Sequence, residues 1–173
     1  MPGSGKSTIV SALKTKGFEA LNLGDGVRAE AKRRNLEPTG DNLGKLMLEL
    51  REKNGPGAIA ALLTEPIKNS QSKVIIIDGV RSTAEIEILK NVGSVKLLSI
   101  EATADTRYKF LSSRGRSDDP ATREKFEERD TRELGIGIGE SIAIADETIS
   151  NSGITLDELT QLASKTIEKW IET

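Results

Sequence analysis

Two glycines, a lysine and two hydroxyl residues stand together in Gly3-Ser4-Gly5-Lys6-Ser7-Thr8, an order suited to gripping a polyphosphate. Backbone N–H groups turned toward phosphate oxygens need residues without a bulky Cβ, and Gly3 and Gly5, on either side of Ser4, let the main chain approach. Lys6 supplies a mobile point charge for the β- and γ-phosphates and Ser7 a hydroxyl for Mg²⁺, with Thr8 completing the run. The spacing of Ile9, Val10 and Leu13 predicts a helix over residues 6–16 whose positive dipole end faces the same anion. The residues fit the pattern G-x-x-x-x-G-K-[ST] from its second glycine onward, so the first glycine would sit immediately before Met1. A glycine- and serine-rich tail is the plain alternative, but such a tail does not ordinarily run straight into helical apolar spacing.

The elements that must hold this loop follow from periodicity. Residues 18–23, 74–77, 95–100 and 148–150 read as strands, and the run Val74-Ile75-Ile76-Ile77 has the pattern of a strand buried on both faces of a parallel sheet. Helices are expected over 42–53, 57–69 and 82–91, the last opened by a Ser82/Glu85 capping box. A further helix runs to Leu134 with Asp119 and Pro120 at its N-cap and first position, and a C-terminal helix opens on a Thr155/Glu158 box. Strand and helix alternate, which makes this an α/β chain. The stretch 103–144 is helical by propensity but charge-dominated; it reads as a solvated lid, with a plain surface helix as the alternative.

Composition narrows the chemistry. The 173 residues carry a net charge of −2 and no linker-like stretch, so a single domain with neither a polyanion-coating basic face nor a membrane-binding patch is expected. No nucleic-acid partner is indicated. Absence of cysteine and histidine removes disulfides, thiol catalysis, Cys/His zinc sites and catalytic imidazole, leaving Asp, Arg, Lys, hydroxyls and backbone. The longest apolar run, 74–77, is too short to span a bilayer and no signal-peptide pattern opens the chain, so a cytoplasmic protein is expected, as monomer or homodimer.

Several motifs then fall at strand ends. Gly24-Asp25-Gly26-Val27-Arg28 resembles the acceptor-binding G-D-x-x-R of adenylate kinases, and Asp78-Gly79-Val80-Arg81 resembles the segment ending the third strand of nucleoside monophosphate kinases. Arg107, Arg114 and Arg116, followed by Asp118 and Asp119, look like a short arginine-bearing lid. Ala145-Asp146-Glu147-Thr148-Ile149-Ser150-Asn151 is similar to the A-D-x-x-I-x-N segment of dephospho-CoA kinases. Together they cover the chain and resemble a family of archaeal, adenylate-kinase-related P-loop proteins, a likeness strengthened by Arg116-Ser117-Asp118-Asp119 and Gly137-Ile138-Gly139-Glu140.

That resemblance implies a three-layer P-loop kinase fold, a parallel sheet flanked by helices, with an acceptor-binding helical region at about 26–69 and a lid at about 103–139. It implies ATP and Mg²⁺ as cofactors and a small phosphorylated, nucleotide-like acceptor, a nucleoside monophosphate or dephospho-CoA type, that takes the γ-phosphoryl group. Asp78 would bind Mg²⁺ through water beside Lys6 and Ser7, or cap a turn as D-G pairs do. Asp25 would orient an acceptor hydroxyl or cap the helix that follows. Arg28 and Arg81 suit the acceptor, and Arg107, Arg114 and Arg116 the transferring group, because a planar guanidinium gives bidentate bonds to phosphate. Arg129 and Arg132 read as solvated helix face. Asn151 lies where the resemblance places the adenine, its side chain shaping the turn more than reading the base. A nucleotide-binding or slow NTPase regulatory module, or an inactive truncated product, are the competing readings.

In kinases of the resembled type the strand feeding the loop lies between the strand ending at Asp78 and the one near 95–100. On that basis Met1 reads as an internal methionine preceded, in frame, by about five to seven mostly aliphatic residues ending in glycine; without them a gap is expected between those two strands.

Overall fold

The computed structural model describes residues 1–115 and 119–172. Along them run Lys6–Thr15 (α1), Glu19–Asn22 (β1), Leu23–Arg33 (α2), Gly40–Asn54 (α3), Ala58–Ala61 (α4), Thr64–Asn69 (α5), Ile75–Asp78 (β2), Thr83–Lys90 (α6), Leu98–Glu101 (β3), Ala104–Arg114 (α7), Arg123–Ile136 (α8), Ile138–Ala143 (α9), Glu147–Ser150 (β4) and Leu156–Glu172 (α10). By its contacts the chain divides into two compact units, Phe18–Val95 and Met1–Gly17 with Lys96–Thr173. The strands pair in parallel as expected, but as two separate two-stranded sheets, β1 with β2 and β3 with β4.

In the unit Phe18–Val95, β1 and β2 are in register from Glu19 against Ile75 to Asn22 against Asp78. Helix α2 buries Leu23, Val27 and Ala31, one face at i, i+4, i+8, in a core with Leu46 and Leu50 of α3 and Ile59, Leu63 and Leu89. It starts at Leu23 because Asn22 Oδ1 accepts from the Gly24 amide at 2.7 Å, so Asn22 is its cap and Asp25 sits inside the first turn. Asn35 ends it in the left-handed region at φ 56, with Leu36 N–H donating to Ala31 O and Asn35 N–H to Lys32 O.

The helix expected over 57–69 is two helices, and Pro66 is the reason. A continuous helix would need a donor from residue 66 to Leu62 O and would drive the ring into that carbonyl, so the chain restarts at Thr64 with Pro66 in the new first turn. At Gly57 a Cβ would lie 2.5 Å from Ile88 Cγ1 and 2.9 Å from Ala84 O, a close approach of α4 to α6 open only to glycine. The α6 box is half formed: Ser82 Oγ accepts from Glu85 N, while Glu85 turns one residue upstream to accept from Arg81 N at 2.7 Å and pairs with Arg51.

In the unit built from Met1–Gly17 and Lys96–Thr173, Asp146 sets the start of the β3–β4 ladder by accepting from Leu97 N at 2.7 Å and pairing with Lys96; the backbone bond holds its carboxyl below the usual aspartate range. Ile9 and Leu13 of α1 are buried, as are Leu159, Ala163 and Ile167 of α10, and these two helices pack together. The Thr155/Glu158 box is reciprocal, Thr155 N reaching Glu158 Oε2 and Glu158 N reaching Thr155 Oγ1. Helix α8 begins three residues later than the Asp119-Pro120 signal suggests, because Thr122 Oγ1 caps it by accepting from Lys125 N while Asp119 is drawn to Arg114. Leu111, Phe126 and Ile138 are buried, so α7, α8 and α9 rest on more apolar surface than their charge pattern suggests. Among the described residues no helix is long and apolar enough to cross a membrane.

Candidate functional site

Gly3 and Gly5 both adopt positive φ, 80° and 102°, and carry the chain through a tight loop into α1. No side chain caps α1, so the amides of its first turn and its dipole offer a positive end to an anion. Ser7 and Thr8 are exposed there, with hydroxyls open to a ligand. Lys6 folds back along its own loop, its Nζ donating to Met1 O at 2.7 Å and to Ser4 Oγ at 3.3 Å. It thus lies across the mouth of the cradle it would serve.

Two buried side chains hold the loop in this shape. Asn151 follows β4, is 3 % exposed, and donates from Nδ2 to Ser4 O at 3.0 Å; Ser4 itself is fully buried. A Cβ on Gly5 would lie 2.7 Å from that same Nδ2 and 3.0 Å from Leu159 Cδ2, so the second glycine is required by packing as well as by φ. Arg107, 6 % exposed, donates from Nη1 to Pro2 O at 3.2 Å, forms a two-pronged pair with Asp130, and stacks over Phe126 at 4.8 Å. Its backbone carbonyl would lie 2.8 Å from a Cβ on Gly3. Thus the side chain read as a lid phosphate ligand is committed in this structure to supporting the loop.

Arg114 pairs with Asp119, and Arg129 lies 3.9 Å from the same carboxylate. Asp119 is nearly buried and Arg129 only 13 % exposed, so Arg129 is not the solvated helix face its surroundings in sequence suggest. Arg116 and Asp118 lie outside the described residues. A cavity of about 350 Å³ opens where β3 and β4 end, lined by Ala102, Thr103 and Ser152 with Met1, Ile100 and Ile142, at the carboxyl edge where open α/β sheets place ligands.

The unit Phe18–Val95 holds the residues expected to meet an acceptor. Asp78 ends β2 opposite Asn22, whose Nδ2 donates to Asp78 Oδ2 at 3.0 Å. This ties the carboxylate to the cap of α2. Asp25 and Arg28 form an exposed i, i+3 pair at 2.8 Å. Arg81 offers its backbone N–H to Glu85 at the turn into α6. A cavity of about 370 Å³ runs along α2, lined by Asn22, Asp25, Glu30 and Arg33 with Leu21, Leu62, Leu63 and Pro66; Asp25 reaches it, and Arg28 and Arg81 do not line it.

Sequence reading missed Asn22, Glu30, Arg33 and Asp130. An asparagine directly before Gly-Asp-Gly is a cap signal, and Glu30 with Arg33 an i, i+3 charge pair, so both were open to recognition. Asp130 gave none: it is 23 residues from Arg107 and meets it only through folding.

A glycine loop feeding an open helix end in an α/β chain defines, by class, a P-loop protein of kinase type. A family model described as an AAA domain matches residues 1–127. A UPF0200 protein of Pyrococcus abyssi is 41% identical over 156 residues, covering 87% of this chain and 83% of that protein. One of Hyperthermus butylicus is 37% identical over 169 residues, covering 98% and 90%. The chain belongs to this archaeal UPF0200 family. Among solved structures, TT1252 from Thermus thermophilus matches with a TM-score of 0.66 at 19% identity, covering 96% of this chain and 93% of that one. A shikimate kinase from Bacteroides thetaiotaomicron matches with a TM-score of 0.65 at 14% identity and the same coverage. The fold is the α/β P-loop kinase fold.

Proposed function

We propose that this protein is a cytoplasmic phosphotransferase that moves the γ-phosphoryl group of ATP to a small nucleotide-like acceptor. The observation that carries this reading is the uncapped N-terminus of α1 behind two positive-φ glycines, with Lys6 and an exposed Ser7 at its mouth. Such an end binds phosphate oxygens through fixed N–H dipoles, which cost no reorganisation as charge develops on the transferring group. Lys6 would turn from Met1 O and Ser4 Oγ to a phosphate oxygen, a charge-assisted contact.

No cluster of three or more carboxylates, cysteines or histidines suited to a metal is present among the described residues. Mg²⁺ held by the Ser7 hydroxyl, phosphate oxygens and waters needs none, so the donor set fits it; bound there, it would neutralise charge on the β- and γ-phosphates. By the resemblance Asp78 stays a candidate for holding water on a metal, and its bond from Asn22 keeps the carboxylate in one orientation. During transfer an acceptor oxygen bonds to the γ-phosphorus as the bond to the β,γ-bridging oxygen breaks and ADP leaves. A nucleoside monophosphate attacks through a phosphate oxygen and needs no strong base, which suits a chain without histidine. Arg28, Arg81, Arg114 and Arg116 remain candidates for neutralising the phosphates, and Asp25 for orienting the acceptor.

The test is direct. Mg·ATP is titrated into the parent and into Lys6→Ala, and the parent is then assayed for ATP-dependent phosphorylation of nucleoside monophosphates and dephospho-CoA. Loss of binding in Lys6→Ala with one acceptor phosphorylated is the expected result. Equal Mg·ATP affinity in both proteins overturns the reading, and binding without turnover on every acceptor points to the regulatory module.

A further inference from the structure

The cavity along α2 contains a charged device that neither the motifs nor the proposed donor site uses. Asp25, Ala29 and Arg33 line it at i, i+4, i+8, with Gly26 and Glu30 beside them. Glu30 is 11 % exposed and grips Arg33 two-pronged, Nε to Oε2 and Nη2 to Oε1, both at 2.7 Å. Arg34 holds the same carboxylate at 2.6 Å and also meets Glu49, which Lys53 pairs with in turn. Two carboxylates against three cations leave this cluster one positive charge in excess.

Arg33 is therefore a cation on a fixed arm. Its side chain is 71% exposed, so its charge is available to an incoming ligand, and the Glu30 grip leaves the Nη1 hydrogens unused. An arginine already held in place loses little rotamer freedom on binding an anion, which favours affinity. Leu21, Leu62, Leu63 and Pro66 offer an apolar wall for the body of a ligand. Asp25, in the first turn of α2, stands about 12 Å from Arg33 along the helix axis, and it and the cap Asn22 supply polar groups for hydroxyls or amines.

We propose that Arg33, oriented by Glu30, is the residue that reads the anionic group of the phosphoryl acceptor, a phosphate monoester on a largely apolar, hydroxyl-bearing body. This deepens the phosphotransferase reading and rests on it for the word acceptor. It assigns specificity to a residue outside the G-D-x-x-R pattern, because Arg33 lines the cavity and Arg28 does not.

The experiment is titration calorimetry on the full chain without ATP, using AMP, GMP, CMP and UMP and the four matching nucleosides. Arg33→Gln changes a largely exposed side chain and should fold normally. For the best-binding monophosphate it should weaken affinity by about tenfold or more, with the matching nucleoside unchanged. Arg33→Lys should restore part of the loss, and Glu30→Gln should weaken the monophosphate in the same sense by freeing the guanidinium. Unchanged monophosphate binding in Arg33→Gln overturns the proposal, as does equal loss for monophosphate and nucleoside, or no binding of any monophosphate to the parent. A parallel Mg·ATP titration separates the two readings: retained ATP binding in Arg33→Gln leaves the donor site standing whatever the acceptor result.

Discussion

Asn151 and Ser4, 147 residues apart, are joined by a hydrogen bond from the Asn151 side-chain amide to the Ser4 carbonyl, both residues buried. The bond connects the end of β4 to the loop entering α1, and it satisfies a carbonyl that the tight loop turns away from any helix or sheet partner. Asn151→Ala should cost about 1–3 kcal/mol of stability by leaving that carbonyl unpaired. It should also weaken Mg·ATP binding by loosening the loop. Asn151→Asp should be worse on both counts, since it sets a second acceptor against the first. Urea denaturation and ATP titration check this; a parent-like pair of curves for Asn151→Ala would remove the residue from the loop's support.

Arg107 and Asp130 form the second support, and breaking it from one side strands a poorly hydrated charge. Arg107→Ala should destabilise the fold by roughly 2–4 kcal/mol, and Asp130→Asn by a smaller amount because the hydrogen-bonded shape is kept. The double variant should be less destabilised than the sum of the singles. Additive losses in a denaturation cycle would show that the two residues act independently.

Gly57→Ala tests how tightly α4 lies on α6. Its φ of −84 is open to alanine, so backbone strain is not involved. The added methyl would still meet the Ala84 carbonyl at 2.9 Å and Ile88 Cγ1 at 2.5 Å. A loss of about 1–3 kcal/mol is expected from overpacking, read as a lower denaturation midpoint with unchanged slope.

Glu30 gives the acid limb of stability a specific origin. Hydrogen bonds from Arg33 and then Arg34 lower its carboxyl from the usual 4.5 to about 2. The depressed value means that the stabilisation is fully present above pH 4.5 and is lost as pH falls toward 2. Its size should be on the order of 1–2 kcal/mol, reduced from the full linkage value because Arg33 is largely solvated. Stability of the parent relative to Glu30→Gln, measured between pH 7 and pH 2.5, should converge on the acid side; a constant difference across that range would place the destabilisation elsewhere.

Local signals in the chain were enough for the phosphate loop, α1 and the existence of parallel strands. Those features are written at short range: glycines where φ must be positive, a lysine and hydroxyl at the helix start, β-branched runs such as 74–77. The Thr155/Glu158 box was legible for the same reason, since both partners lie within one turn. Even the split at Pro66 needed no tertiary information, only the rule that proline has no N–H to give.

Tertiary structure decided what the charged residues without a partner in their own turn do. An arginine in sequence is a cation without a direction, and its role depends on which carboxylate the fold brings to it. Arg107 meets Asp130 across 23 residues and becomes a buried support, whereas Arg33 meets Glu30 within one turn and keeps its face to a cavity. Asp119 was drawn from a helix cap to Arg114 because an opposite charge in a dry setting outweighs one backbone amide that Thr122 can serve instead. Periodicity and motif spacing fix backbone form because that form is set by neighbours along the chain. Long side chains choose partners through space, where electrostatic pairing and burial are settled only once the elements have packed.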